Sequence, residues 1–222
     1  LNGVDYIGLS SSELHGRNFD QETSRSAVGQ PIGSFFVYEA DGLFQSDAEI
    51  QNYKNDRGEL LQPNAKPGDI RFKDLNGDGV INSDDRDFKG NPLPDCSMGL
   101  TLGFNYKNFD VSAFFQGVFG NEVYNLTNYL GEFYNQAQYN KNSTILDAWR
   151  PDNTDTDIPR VTLDDPNNNI RPSTYYIHNA SFVRLKNLKV GYTLPDKVAS
   201  KLKLKRTYIY FQGQNLFTIT GH

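Results

Sequence analysis

Acidic and amide side chains alternate through residues 74–85 at the spacing of a calcium-binding loop. Counting Asp74 as position 1, side-chain oxygens fall at positions 1, 3, 5, 9 and 12, and Gly79 stands at position 6. Calcium prefers six to eight oxygen ligands, and the glycine permits the sharp turn that lets alternate side chains converge. The sequence therefore predicts a structural calcium site. Its predicted ligands are Asp74, Asn76, Asp78, Val80 through its carbonyl, Asn82 and Asp85.

Two features separate this loop from an EF-hand. Asp85 stands where a glutamate is usual, so the last ligand has a shorter arm and a weaker site is expected. The preceding residues 67–72 have the pattern of a turn and a strand instead of a helix, which more closely resembles the dockerin-type variant. The alternative is an Asx-rich turn that binds nothing, because Asp, Asn and Gly form turns in their own right.

Tyrosines recur among Asn and Gln residues in the polar segment 119–180. Aromatic rings of this kind can stack on sugar rings, while the amides bond to hydroxyl groups. The alternative is that the rings pack the segment onto itself. The candidate substrate-binding residues are Tyr124, Tyr129, Tyr134 and Tyr139.

The remaining reactive side chains are scattered. The three histidines lie far apart, no Gly-x-Ser-x-Gly motif occurs, and the acidic pairs at 84–85 and 164–165 have no His or Lys partner nearby in sequence. The single cysteine, Cys96, cannot form an internal disulfide. We therefore expect no catalytic site and no enzyme activity.

The composition limits the partners and the mode of membrane contact. A formal net charge of −5 gives no basic surface for nucleic-acid phosphates. Aromatic residues make up 13% of the chain although hydrophobic residues reach only 37%, as expected for a polar surface interrupted by aromatic-rich strands. No apolar run is long enough for a membrane helix, but a membrane strand needs only about ten alternating residues.

Hydrophobic residues alternate with small or polar ones in four segments, which predicts β-strands. The first two segments flank a tight turn at Lys107-Asn108, so we expect an antiparallel hairpin. In the third, the alternation changes phase near Lys186-Asn187, which predicts a β-bulge. The predicted strands are residues 97–106, 109–118, 182–194 and 206–220.

Together these patterns predict an all-β fold of antiparallel strands. The short connections at 107–108 and 195–205 contrast with the long segment 119–180, and this asymmetry is typical of a transmembrane β-barrel with long extracellular loops. The alternative is a soluble β-sandwich, although soluble domains rarely carry structureless loops of this length. We expect residues 1–95 to form a surface-loop region and residues 96–222 to carry the barrel strands.

Eight short motifs occur in a fixed order along the chain. They are VGQPIG at 28–33, YEADGLF at 38–44, PGDIRFK at 67–73, GNPLPD at 90–95, YKNFD at 106–110, WRPDN at 149–153, SFVRLKNLKVGY at 181–192 and GQNLF at 213–217. In this order they resemble the carboxy-terminal barrel portion of the SusC/RagA-like family of TonB-dependent outer-membrane transporters.

The resemblance implies a large barrel that imports oligosaccharides or peptides across the outer membrane. It also implies energy from TonB, acting through an amino-terminal plug that this chain lacks, and a SusD-like surface lipoprotein that helps to capture substrate. Both ends of the chain are expected to be internal to a longer protein. The residues alone leave open a soluble calcium-dependent carbohydrate-binding or adhesion domain.

Overall fold

A computed structural model of the chain describes residues 23–132 and 140–221. The fold is mostly β, as predicted. The strands are β1 Ser24–Arg25, β2 Ser34–Tyr38, β3 Ala40–Leu43, β4 Ile70–Phe72, β5 Arg86–Gly90, β6 Cys96–Tyr106, β7 Phe109–Phe119, β8 Glu122–Tyr124, β9 Ile177–Asn179, β10 Phe182–Thr193 and β11 Tyr208–Thr220. The helices are α1 Asp47–Asn52, α2 Leu126–Glu132 and α3 Asp196–Lys201, with single 3-10 turns at Ser83–Asp85, Ser143–Asp147 and Thr174–Tyr176.

The chain divides into two compact units, each built from two stretches of sequence. The first contains Leu1–Pro92 and Val123–His178, and the second contains Leu93–Glu122 and Asn179–His222. The sequence had suggested grouping 119–180 with the long strands. Most of that segment instead groups with the amino-terminal stretch, because Trp149 and Tyr176 contribute to its hydrophobic core.

The first unit is built on short strands around a small aromatic core. Strands β1, β2 and β5 form one antiparallel sheet, and β3 pairs with β4. The buried core consists of Leu43, Ile70, Phe72, Trp149 and Tyr176. Trp149 also donates its indole N–H to Gln45, at 2.9 Å, so its polar edge is satisfied.

A buried polar network holds the later segment of the first unit against β4. Asp69 is fully buried and accepts two hydrogen bonds from Arg160, at 2.6 and 3.2 Å, and one from Asn169, at 3.0 Å. Asn169 in turn accepts from the backbone N–H of Ile70, at 2.8 Å. A buried carboxylate is stable only when it is paired and hydrogen-bonded in this way.

The second unit is a four-stranded antiparallel sheet in the order β11-β10-β7-β6. All four predicted strands are confirmed, to within two residues at each end. The predicted bulge is also confirmed, because the pairing register of β10 shifts between Leu185 and Asn187 against both of its neighbours. In the ranges 23–132 and 140–221, the helices are too short or too polar to cross a membrane.

Candidate functional site

The register of the four-stranded sheet sorts its side chains onto one apolar and one polar face. Leu102 lies opposite Ala113, Ala113 opposite Leu188, and Leu188 opposite Gly213, so a single row crosses the whole sheet. Side chains two residues apart share a face. The bulge at Lys186 restores this alternation in β10. The larger members of the apolar face are Met98, Leu100, Leu102, Phe104, Tyr106, Phe109, Val111, Phe115, Val183, Leu185, Leu188, Val190, Tyr192, Ile209, Phe211, Phe217 and Ile219.

This apolar face is open. Leu100 is 55% exposed, Phe104 64% and Phe211 68%. A second sheet packed over the face would bury these side chains, so the described residues do not form a closed sandwich. A contiguous apolar surface of this size on one sheet marks a contact with lipid or protein.

The opposite face of the sheet is polar and internally hydrogen-bonded. Arg184 donates to the hydroxyl of Thr218, at 2.9 Å, and Lys186 donates to the amide oxygen of Gln116, at 3.1 Å. The Tyr208 hydroxyl donates to Asp110 at 2.8 Å. One face therefore suits lipid and the other suits water or polar protein.

Both edges of the sheet are unpaired within the described residues. Strand β6 pairs only with β7, and β11 pairs only with β10, so two rows of backbone N–H and C=O groups are left available. Edge strands of 11 and 13 residues are strong templates for further strands. The sheet is open here, and its continuation into a closed barrel stays a prediction.

The Asx-rich loop at 74–85 is ordered by its own side chains. Asp74 accepts from the backbone N–H groups of Gly77 and Gly79, at 2.7 and 2.8 Å. Asp78 accepts from the backbone of Val80, at 2.9 Å, and from the amide nitrogen of Asn76, at 3.0 Å. These hydrogen bonds hold the pKa of Asp78 below its usual range, with the Val80 N–H as the largest cause.

Asp78 is also the point where three predicted ligands meet. Its second oxygen accepts from the side-chain amides of both Asn76 and Asn82. A rotation of either amide about its last bond would present an oxygen there instead of a nitrogen. Positions 3, 5 and 9 of the loop therefore already converge.

Asp85 takes a different place from the other predicted ligands. It is completely buried, and its two oxygens accept from the backbone N–H groups of Leu75 and Asn82, each at 2.8 Å. With Asn82 it forms a capping box at the start of a 3-10 turn. Asp85 thus closes the two ends of the loop onto each other.

The donor chemistry of this loop fits calcium, since every predicted ligand offers a hard oxygen atom. The carboxylates do not converge as a ready-made cage. Among residues 23–132 and 140–221, no group of three or more His, Cys, Asp and Glu side chains is placed to hold a metal ion. Occupancy of the loop by calcium therefore remains a proposal.

A polar cleft of about 540 Å³ lies beside the Asx-rich loop. One wall is the 53–61 segment, which is held on the loop by a hydrogen bond from Asn55 to the carbonyl of Gly79, at 3.2 Å. The volume is typical of ligand sites, which run from about 300 to 1,000 Å³. The charged lining residues are Asp41, Lys54, Asp56, Arg57, Lys73, Asp74 and Asp78.

Two of the four candidate tyrosines belong to an aromatic cluster. The rings of Tyr124 and Tyr129 lie 5.4 and 5.6 Å from the ring of Tyr176, which is fully buried. Burial raises the pKa of both hydroxyls, and most strongly that of Tyr124. This geometry supports the alternative that the rings pack the segment. Tyr134 and Tyr139 lie outside the described residues.

Sequence reasoning missed the cleft and the buried Asp69–Arg160 pair. Lys54, Asp56 and Arg57 sit in an ordinary polar stretch, and only the fold brings them beside Asp74. The signal that could have found Asp69 is its place in the PGDIRFK motif, directly before a short strand.

Comparisons with known proteins agree with the motifs. No family model matches the chain. TonB-dependent receptor P3 of Formosa agariphila is 37% identical over 207 residues, which cover 93% of this chain and 20% of that receptor. TonB-dependent receptor SusC of Bacteroides thetaiotaomicron is 30% identical over 223 residues, covering 98% of this chain and 19% of that receptor.

The fold is shared with solved structures. A chain in a structure of the RagAB peptide transporter is 25% identical with a TM-score of 0.67, over 100% of this chain and 22% of that one. The RagAB importer in its open-open state gives a TM-score of 0.69 at 23% identity, over 100% of this chain and 21% of that one. This chain spans about one fifth of the length of the curated relatives it matches. As its motifs predicted, the chain is a relative of one segment of the SusC-like TonB-dependent receptors.

Proposed function

We propose that this chain is the carboxy-terminal barrel portion of a TonB-dependent importer in the outer membrane. The four-stranded sheet carries the proposal, because it has an exposed apolar face, a polar face and two unpaired edges. A transmembrane strand needs about 9 to 11 residues when tilted, and β6 and β7 each have 11. Further strands would close the sheet and satisfy its edges, as a bilayer requires.

The whole protein would bind and move a nutrient without covalent chemistry. The names of the relatives support this, since they are receptors and a peptide transporter. The proposed cargo is an oligosaccharide or a peptide. The proposed partners are a SusD-like surface lipoprotein and TonB, which would act through a plug outside this chain.

The long segments 1–95 and 119–180 are proposed to face the cell exterior, and the short connections to face the periplasm. The turn at 107–108 and the link at 194–207 lie at the same end of the sheet. This position supports the proposal that both short connections lie on one side of the membrane. Protease added to intact cells should cut within 119–180. Cleavage within 195–205, with 119–180 protected, would reverse the topology.

Calcium is proposed to stabilise the Asx-rich loop. Asp74, Asn76, Asp78, Asn82 and the Val80 carbonyl would supply oxygens around the point where Asp78 already meets the two amides. Asp85, the sixth predicted ligand, would have to release a backbone hydrogen bond to take part. The ion would neutralise carboxylates that otherwise repel one another.

Substrate contact is proposed for the surface of the first unit. The cleft beside the Asx-rich loop is accessible and hydrophilic, and both properties suit a sugar or a short peptide. Tyr134 and Tyr139 remain candidates for the same role. Tyr124 and Tyr129 are weaker candidates, because they pack against Tyr176.

Outer-membrane assembly of the complete receptor tests the proposal. Leu102→Arg places a charge in the middle of the apolar face, where lipid contact makes it cost about 2–4 kcal/mol. Thr101→Arg, one residue away, is the matched control, because Thr101 belongs to the polar face. We expect Leu102→Arg to lower the amount of folded receptor in outer membranes and Thr101→Arg to leave it nearly unchanged. A parent protein recovered entirely in the soluble fraction would instead support the calcium-dependent soluble domain.

A further inference from the structure

The link between β10 and β11 is strongly basic although the chain as a whole is acidic. Residues 195–206 contain five Lys and Arg side chains against one acidic residue, whereas the whole chain has a formal net charge of −5. The second unit as a whole carries nine Lys and Arg against four Asp and Glu, a net charge of +5. The five cations are Lys197, Lys201, Lys203, Lys205 and Arg206.

These cations are exposed, and none forms an ion pair with another described residue. Apolar side chains alternate with them along 201–206. Leu202 is 59% exposed and Leu204 47%, and Val198 in α3 is 43% exposed. A surface that offers both cations and exposed aliphatic groups matches an interface between lipid head groups and acyl chains.

The basic link lies at an aromatic end of the apolar face. Tyr106, Phe109 and Tyr192 lie side by side across three strands there, with the rings of Phe109 and Tyr192 4.5 Å apart. The end of β10, shortly before the link, is tied to the neighbouring turn by two hydrogen bonds between Asn108 and Thr193, each 2.8 Å long. Aromatic side chains gather where a membrane strand crosses from hydrocarbon to head groups.

We propose that the 195–206 link is a docking surface for anionic phospholipids, whose head-group phosphates its lysines and arginine bind. The inference rests on the membrane placement of the sheet proposed above. Each basic side chain near an anionic bilayer surface can contribute about a fivefold preference for anionic over neutral lipid, and salt weakens this preference. The cluster should therefore enrich anionic lipid around this end of the sheet.

Lipid-selective fluorescence quenching tests this on the complete receptor reconstituted in phosphatidylcholine vesicles containing phosphatidylglycerol. Leu202→Trp places a fluorophore in the basic link. Two samples are compared, one with brominated acyl chains on phosphatidylcholine and one with brominated acyl chains on phosphatidylglycerol. The signal of the parent, which contains Trp149, is subtracted. Per mole of brominated lipid, we expect phosphatidylglycerol to quench at least about five times more strongly than phosphatidylcholine. This factor corresponds to the contribution of a single lysine at the bilayer surface.

Two variants separate the basic link from general charge effects. In the Leu202→Trp background, Lys201→Gln, Lys203→Gln and Lys205→Gln together should lower the preference severalfold, as should high salt, while Lys197 and Arg206 remain. The matched control replaces three exposed cations of the first unit, Lys54→Gln, Arg57→Gln and Lys66→Gln, and should keep it.

A separate variant, Leu102→Trp, places a tryptophan on the apolar face and reports whether the sheet lies in lipid at all. Suppose that both lipids quench the tryptophan at 102, and that at 202 they quench equally or not at all. This result would overturn the lipid-docking surface but leave the proposed function intact. An acidic protein would then be the partner of the cations. Absence of quenching at both positions would reject the membrane placement itself.

Discussion

Arg160 donates two hydrogen bonds to the fully buried carboxylate of Asp69, which lies 91 residues earlier in the chain. The pair joins the PGDIRFK motif to the later part of the first unit. Asn169 adds a third hydrogen bond to the same carboxylate. A contact between two distant segments therefore holds the start of β4, the strand that precedes the Asx-rich loop.

Removal of this pair should destabilise the first unit strongly. Arg160→Ala leaves Asp69 buried without its countercharge, at a cost of about 3–5 kcal/mol. Arg150→Ala is the matched control, because Arg150 faces Asp152 in an exposed pair at 3.5 Å and should cost less than about 1 kcal/mol. Urea unfolding of both variants measures the difference. Equal losses would show that the buried pair does not hold the two segments together.

Gly68→Ala should also be destabilising, for reasons of backbone and space. Gly68 has a φ of +88°, and a Cβ atom there would lie 2.5 Å from a ring carbon of Trp149. Gly58 has a similar φ of +81° with open space around it. Gly58→Ala should thus cost only the backbone strain of about 1–2 kcal/mol, and Gly68→Ala clearly more. The free energy of unfolding of each variant checks this, and similar values would contradict the tight packing on Trp149.

Protonation of Glu39 should weaken the first unit in acid. Hydrogen bonds from Lys73 and Lys89 lower the pKa of Glu39. Because the folded-state pKa lies below the unfolded value of about 4.3, this stabilisation is complete above that value and is lost as pH falls through the folded pKa. Glu39→Gln should lower the urea midpoint at neutral pH and flatten its acid dependence below pH of about 4. Asp164→Asn, at an exposed site, is the control and should leave both the urea midpoint and its acid dependence as they are in the parent. If Glu39→Gln left the acid dependence unchanged, Glu39 would not be a source of the acid sensitivity.

Calcium should bind the Asx-rich loop through its first half. Asp74→Ala and Asp78→Ala are expected to abolish binding in calorimetry on the intact receptor, while Asn82→Ala, at a position often served through water, weakens it less. Asp84→Ala is the control, because Asp84 occupies a loop position that supplies no ligand. No calcium-dependent heat from the parent at millimolar ion would leave only the Asx-turn explanation.

The long strands were predictable because their information is local. Period-two alternation in residues 97–106 and the phase change at Lys186-Asn187 are properties of neighbouring residues, and the structure reproduces both. The first unit was much less predictable. Its strands have two to five residues, and its core joins Leu43 to Trp149 across a hundred residues of sequence.

The site was predictable in part for the same reason. The spacing of Asn76, Asp78 and Asn82 is local, and the structure brings these side chains together. Burial of Asp85 in a capping box and of Tyr124 against Tyr176 depends on contacts that alternation and motif spacing do not encode. The cleft beside the loop likewise needs the fold of the 53–61 segment.

Direct contact between lipid and the apolar face is the central claim, and fluorescence quenching at two adjacent positions of β6 measures it. Leu102 lies on the apolar face and Thr101 on the polar face. In the reconstituted receptor, tryptophan in Leu102→Trp should be quenched strongly by lipids brominated in the middle of their acyl chains, and tryptophan in Thr101→Trp weakly. Equal quenching at the two positions, or stronger quenching at 101, would contradict the account.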